Sequence, residues 1–254
     1  MPDPRLLIEE ELAPGARVRL DGDRARHLTA VLRLSTGARV RVFNARDGEW
    51  RAIIAAAEKR GAELAIESRL RAPRAPRDLD LLFAPVKRHA TDLIVEKAAE
   101  LGAARLIPII TQRTIAETVR LDRLALIARE AAEQAERFDA PAVLPPVQLA
   151  KALDGWDQSR PLIYADEAGD DESQAWGGES GRAKPIADAL ENLKTEKLAL
   201  LIGPEGGFDP NERRLLRALP YVIPVSLGPR ILRAETAVIA ALAVIQAHWG
   251  DWRA

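Results

Sequence analysis

From Asp78 onward the chain alternates short apolar runs with longer amphipathic stretches, and this alternation restricts the fold more than any other feature. DLDLLFAPV, ARLIPIIT, PLIYADE, KLALLIG and YVIPVSLG read as buried strands. TDLIVEKAAELG, LDRLALIAREAAEQAERF, ADALENL, NERRLLRAL and AETAVIAALAVIQAHW read as helices. The first of these has Asp92 near its start and Gly102 beyond its end. The second carries apolar residues at 121, 124, 128, 131, 135 and 138, a one-sided stripe. Strands that alternate with helices predict an α/β domain built on a mainly parallel sheet.

The N-terminal stretch has a different rhythm. Val40 and Val42, then Trp50, Ala52 and Ile54, recur at period two, and Asp47-Gly48 between the two runs is a hairpin signal. RARHLTAVLRLSTG interrupts the strands with Leu28, Val31, Leu32 and Leu34 at helical spacing, closed by Gly37. A small barrel-like β domain is expected over residues 1–72. RAPRAPRD has the composition of a linker, placed at 73–77, and the α/β domain follows over 78–254. DDESQAWGGESGRAKP reads as a loop inside it.

Net charge is −1, but residues 1–77 hold 16 Lys/Arg against 11 Asp/Glu, and the remainder 21 against 27. A basic segment beside an acidic one points to an anionic partner for the former; surface arginine, common throughout this chain, is the competing explanation. The absence of cysteine excludes disulfides, thiolate nucleophiles and thiolate metal sites. His27, His89 and His248 are isolated, so no metal site is expected. The tryptophans at 50, 156, 176, 249 and 252 are scattered and read as packing residues. MPDPRLLIEEELAPG lacks the basic and apolar regions of a signal peptide, and no apolar run reaches a membrane-spanning length. A soluble, cytoplasmic protein is expected.

The most informative stretch is LLIGPEGGF, residues 200–208. A turn at the carboxyl end of a parallel strand is a usual ligand position. Neither a Walker lysine nor GxGxxG spacing is present, and Glu205 would repel a phosphate. A cation or a sugar hydroxyl suits that carboxylate, with Gly203, Gly206 and Gly207 admitting a close ligand. The competing reading is a tight turn whose glutamate caps the next helix. PVSLGPRILRAETA repeats the pattern of strand, Gly-Pro and helix start. The two turns can wall one crevice, with Ile231 and Leu232 against a planar ring and backbone groups of Leu227 and Gly228 at its edge.

GPEGGF followed by LGPRILRAETA resembles the RsmE family, the 16S rRNA uridine N3-methyltransferases of the SPOUT superfamily. RHLTAVLRLSTGARVRVFNARDGEW is similar to that family's PUA-like RNA-binding domain, and KRHATDLIVEKAAELG and EAAEQAERF match its intervening motifs. The resemblance covers nearly the whole chain. Gln112 departs from the acidic residue often found in the T-x-R segment, EQAER departs from the usual motif, and 169–185 looks like an insertion. The resemblance implies a trefoil-knotted SPOUT domain preceded by a PUA-like β-barrel, S-adenosyl-L-methionine as cofactor, and a homodimer. It further implies 16S rRNA of the small ribosomal subunit as substrate, with no membrane partner. Carried over by position, the cofactor-binding residues are Leu201, Gly203, Glu205, Gly206, Leu227, Gly228, Ile231, Leu232 and Thr236.

Methylation at N3 of uridine requires loss of a proton and stabilisation of a uracil anion. Arg233 and Glu235 bracket the second turn and are nominated as catalytic residues; helix-start electrostatics is the competing role. Arg24, Arg26, His27 and Arg33 in the N-terminal domain, with Arg113 and Arg137 in the second, are the expected RNA contacts. For Arg137 the alternative is an ordinary surface ion pair with Glu133. Two other functions remain open: a SPOUT methyltransferase acting on another RNA or base atom, and a non-catalytic RNA-binding assembly factor. The intact GPEGG and LGPRILRAET segments argue against the latter.

Overall fold

The period-two runs of the N-terminal stretch form strands β1 (Arg5–Leu7), β2 (Arg17–Asp21), β3 (Arg39–Asn44), β4 (Gly48–Glu58) and β5 (Gly61–Arg71). The computed structural model describes residues 3–58, 61–115, 118–171, 173–174 and 177–253. Trp176 and part of the 169–185 loop lie outside them. The strands pair in the order β1-β3-β4-β5-β2. β1 is parallel to β3 and the other pairs are antiparallel. Register shifts along β4 and β5 bend the sheet into a half-barrel. Val40, Val42, Ala52, Ile54, Leu64 and Ile66 face its single core. Gly48 has φ +84°, and a side chain there would collide with the backbone of Arg71 and Pro73, so the Asp47-Gly48 turn requires glycine.

Between β2 and β3 the chain forms α1 (Gly22–Arg26) and then one wider π-type turn over His27–Val31. The wider turn rotates the apolar positions off a common face. Leu28 is fully buried, whereas Val31 is 63% exposed.

The chain divides into two compact units, Met1–Ala75 with Ala132–Ala140, and Pro76–Ala131 with Pro141–Ala254. Residues 132–140 therefore belong with the first unit, although they follow the linker in sequence. Contacts from Arg5, Arg41 and Arg71 hold the segment there, the last two pairing with Glu136. The Arg5 guanidinium donates to the carbonyls of Glu133 (3.2 Å) and Arg137 (2.6 Å) and lies 3.6 Å above the Phe43 ring. The Glu133 carboxylate in turn accepts from the Leu7 N–H at 3.0 Å.

The second unit holds β6 (Asp78–Phe83), β7 (Arg105–Ile110), β8 (Ala142–Val143), β9 (Val147–Gln148), β10 (Leu162–Ala165), β11 (Lys184–Pro185), β12 (Lys197–Ile202) and β13 (Val222–Ser226). Its sheet runs β11-β13-β10-β12-β6-β7-β8, with β9 also on β7, and every pairing is parallel. The helices are α2 (Arg88–Glu100), α3 (Leu121–Gln134), α4 (Leu149–Leu153), α5 (Ile186–Leu190), α6 (Pro210–Ala218) and α7 (Ala234–His248). Both faces of the sheet are buried, which explains the unbroken apolar runs. Leu79, Leu81, Leu198 and Leu200 pack with α2 and α7, whereas Leu82 and Leu201 face the core that includes Leu216 of α6. Helix α3 stops at Gln134, and Glu136 has φ +57°, so positions 135 and 138 of the predicted stripe lie beyond the helix. Among the described residues no helix is long and apolar enough to cross a membrane.

At the amino edge of this sheet the charges are fully engaged. Arg105 donates to Asp80 (2.6 Å) and Asp78 (2.7 Å). Arg160 donates to Asp78 (2.6 Å) and to the carbonyls of Asp78 and Leu198.

Candidate active site

Strands β12, β10 and β13 lie side by side, with Tyr164 opposite Leu201 and Ala165 opposite Val225. Their carboxyl ends therefore bring the turn after Ile202 and the turn after Ser226 to either side of Asp166 and Glu167. A small recess forms there, with a volume of about 70 Å³. Gly203, Glu205, Leu227, Gly228, Ile231 and Leu232, six of the nine expected cofactor residues, line it. The other three stand apart. Leu201 is fully buried in the core. Gly206 turns its carbonyl to Arg113, whose Nη1 donates to it at 2.9 Å. Thr236 is exposed in the first turn of α7 and does not line the recess.

The first turn is shaped by its glycines and by Phe208. That ring packs edge-on against Tyr164 at 5.1 Å, and a Cβ on Gly203 would come within 2.6 Å of it. Only glycine fits without displacement. Helix α6 is capped by Asp209, which accepts from the Asn211 N–H at 2.9 Å. Glu212 completes the capping box by accepting from the Asp209 N–H at 3.0 Å. The cap is thus supplied without Glu205, which removes the competing reading of that residue. Glu205 is exposed and has no hydrogen-bond or ion-pair partner among the described residues. On the opposite wall Ile231 is 52% exposed, an apolar side chain in contact with water at the mouth.

Several lining residues escaped the sequence reading. Asp166 is buried, with its carboxylate taken by Arg213 (3.0 Å) and Arg217 (2.7 Å), so it holds α6 in place. Glu167 lies beside Gly207; desolvation pushes its carboxyl up, and the charge of Asp166 adds to the rise. Arg230 also lines the recess. The signal for Asp166 and Glu167 was present, because PLIYADE ends in them at the same strand edge that marked the glycine turn.

Arg233 is the N-cap residue of α7, is exposed and makes no side-chain capping bond; Glu235 is half-buried in the first turn. Neither lines the recess. Of the expected RNA contacts, Arg26, His27 and Arg33 are exposed in the first unit. Arg24 is partly occupied, donating to the Leu7 carbonyl at 3.0 Å. Arg137 departs from expectation: its side chain is 10% exposed and pairs with Asp139 at 2.6 Å, which leaves little of it to meet RNA.

A second, larger cavity of about 550 Å³ adjoins this region. It is lined by the β6–α2 connection, by residues leading into α3 and by Glu205, so Glu205 borders both spaces.

A family model described as an RNA methyltransferase domain matches residues 73–246, and one described as an RNA methyltransferase PUA domain matches residues 20–67. The ribosomal RNA small subunit methyltransferase E of Rickettsia conorii is 30% identical over 95% of this chain and 94% of its own. The protein of the same name from Synechocystis is 32% identical over 96% of this chain and 77% of its own. A crystal structure of the Neisseria gonorrhoeae ribosomal RNA small subunit methyltransferase E, bound to S-adenosyl methionine, is similar with a TM-score of 0.84 at 28% identity. It covers 98% of this chain and 99% of that one.

Proposed function

The chain belongs to the ribosomal RNA small subunit methyltransferase E family of RNA methyltransferases, and from that premise we propose that it transfers a methyl group from S-adenosyl-L-methionine to N3 of a uridine in 16S rRNA. The reading includes a homodimer, a knotted path for the C-terminal segment, a cytoplasmic location and the small ribosomal subunit as substrate. The observation that carries it is the pair of glycine-bearing turns at the ends of the two strands that flank β10, one with a carboxylate that has no partner among the described residues and the other with an apolar pair.

The residues present fit this donor. Glu205 is free to balance a positive charge, and the glycine backbone of both turns admits a close ligand. Ile231 and Leu232 supply an apolar wall for a planar ring. When bound, adenosylmethionine supplies a methyl carbon whose bond to the cationic sulfur breaks with the electron pair left on sulfur. The protein's part is to align that carbon with the uracil nitrogen, to exclude water and to handle the N3 proton. Arg233 and Glu235 remain the nominated pair for stabilising the uracil anion and taking the proton, acting from the start of α7 at the rim of the recess. Arg26, His27 and Arg33 provide an exposed basic face for RNA phosphates.

The test uses the full chain, labelled adenosylmethionine and small subunits lacking the modification. Heat on donor binding, together with label at N3 of a single uridine located by mass spectrometry, is the expected result. Label on transfer RNA alone, or on another base atom, would replace the substrate assignment. No binding of the donor by folded protein would overturn the whole reading.

A further inference from the structure

The larger cavity lies where the sheet changes its direction of winding. From β6 the chain passes through α2 to β7 on one side, and from β12 it passes through α6 to β13 on the other. β6 and β12 are themselves neighbours, with Phe83 opposite Ile202. A crevice beyond the carboxyl ends of two such strands is the position at which open α/β sheets take ligands. Its volume of about 550 Å³ is within the range of sites for small organic groups.

Its walls have a consistent chemistry. Val86, Val119 and Leu124 give an apolar interior. Among the described residues Asp92 is the one acid lining it apart from Glu205, and both of its oxygens are bonded to Arg123, at 2.6 and 3.1 Å. Arg123 holds the Asp92 carboxyl below its usual range, so the pair is internally neutral. Lys87 and Arg88 have no ion-pair partner among the described residues, and Arg120 has only a long exposed contact to Asp122 at 3.4 Å. An apolar pocket bordered by available cations suits a flat base joined to phosphates.

We infer that this crevice receives the target nucleotide, with the uracil ring against the apolar interior and the flanking phosphates on Lys87, Arg88 and Arg120. The inference rests on the methyl-transfer reading above and gives that reaction its acceptor site. Glu205 fixes the geometry, because it borders both spaces and puts a base in the crevice next to a donor in the recess. The base leaves its stack to enter, as it must for any chemistry on an atom involved in pairing.

Steady-state methylation of unmodified small subunits, read beside donor affinity by calorimetry, tests this site. The double variant Lys87→Ala, Arg88→Ala raises KM for the subunit at least ~10-fold and leaves donor Kd within ~2-fold. Loss of two phosphate contacts to single-stranded RNA also lowers the salt slope of binding by ~1.4. Arg120→Glu, an exposed change, moves KM in the same direction. Unchanged KM and salt slope in these variants overturn the site, whereas failure of the unaltered protein to bind donor overturns the methyltransferase reading instead. If the double variant does not fold, photo-cross-linking of the unaltered protein to subunits carrying 4-thiouridine decides the matter. Cross-links in peptides 85–92 or 118–124 support the site, and cross-links confined to other peptides overturn it.

Discussion

Asp78 and Asp80 at the amino edge of the parallel sheet, and Glu205 at its carboxyl edge, are carboxylates on one scaffold with opposite surroundings. The first two are enclosed by Arg105 and Arg160 and by backbone carbonyls that satisfy what remains of the guanidinium of Arg160. Glu205 has no such partner and sits on a turn whose helix is already capped by other residues. The satisfied edge contributes to holding the fold, because removing a member takes a partner from the buried Asp80 or Arg160. The unsatisfied edge contributes little to folding and is available to a ligand. Sheet polarity alone does not produce this difference; the placement of arginines does.

The contrast is broken most severely at Arg160, which is 8% exposed. Arg160→Met leaves Asp80 buried with Arg105 alone, and denaturant unfolding shows a loss of ~3–5 kcal/mol. Gly203→Ala acts at the other edge by steric means, since its Cβ meets the Phe208 ring at 2.6 Å. A loss of ~1–3 kcal/mol in stability accompanies a weakened donor affinity in calorimetry. Glu205→Gln sharpens the comparison. Stability stays within ~0.5 kcal/mol, as for an exposed residue without partners, while donor affinity falls ~10-fold, equivalent to ~1.4 kcal/mol. Equal losses of stability in Arg160→Met and Glu205→Gln would erase the distinction between the edges.

The smallest effect is in acid. Burial pushes the Asp78 carboxyl up, but hydrogen bonding to Arg160 and the charges of Arg160, Arg105 and Lys197 outweigh it, so the group lies below its usual range. A depressed carboxyl contributes stability that is present above its unfolded value, near pH ~3.9, and is lost as pH falls through the folded value. Asp78→Asn therefore flattens the acid limb of the stability profile without changing its course near neutrality.

The five long strands of the second unit were legible because each is an apolar run buried on both faces, and so were α6 and α7. The two-residue strands β8, β9 and β11 left no pattern, since two residues cannot establish a period. The end of α3 was misread because Ala135 and Phe138 continue its stripe past Gln134, where the helix ends and the backbone turns at Glu136. The capping box at Asp209 and Glu212 was readable from the sequence, and noting it would have freed Glu205 from the capping role at once. That the two glycine turns flank Asp166 was not readable, because it depends on β10 lying between β12 and β13. The burial of Arg137 was hidden for a similar reason. Its local neighbours suggest a helix surface, and contacts from the distant Arg5, Leu7, Arg41 and Arg71 show that residues 132–140 belong with the first unit.

Arg113 reaches from the segment after β7 to the Gly206 carbonyl, at 2.9 Å, while the Gln112 N–H is held by Glu212 at 2.9 Å. A surface loop is thus fastened both to the glycine turn and to the first turn of α6 behind it. Any polyanion that pulls the guanidinium outward strains the glycine bend, and any occupant that stiffens the bend presents the guanidinium in a fixed pose. With the donor at this turn and RNA on Arg113, as proposed, linkage makes such influence mutual, so the two affinities shift each other by one common factor.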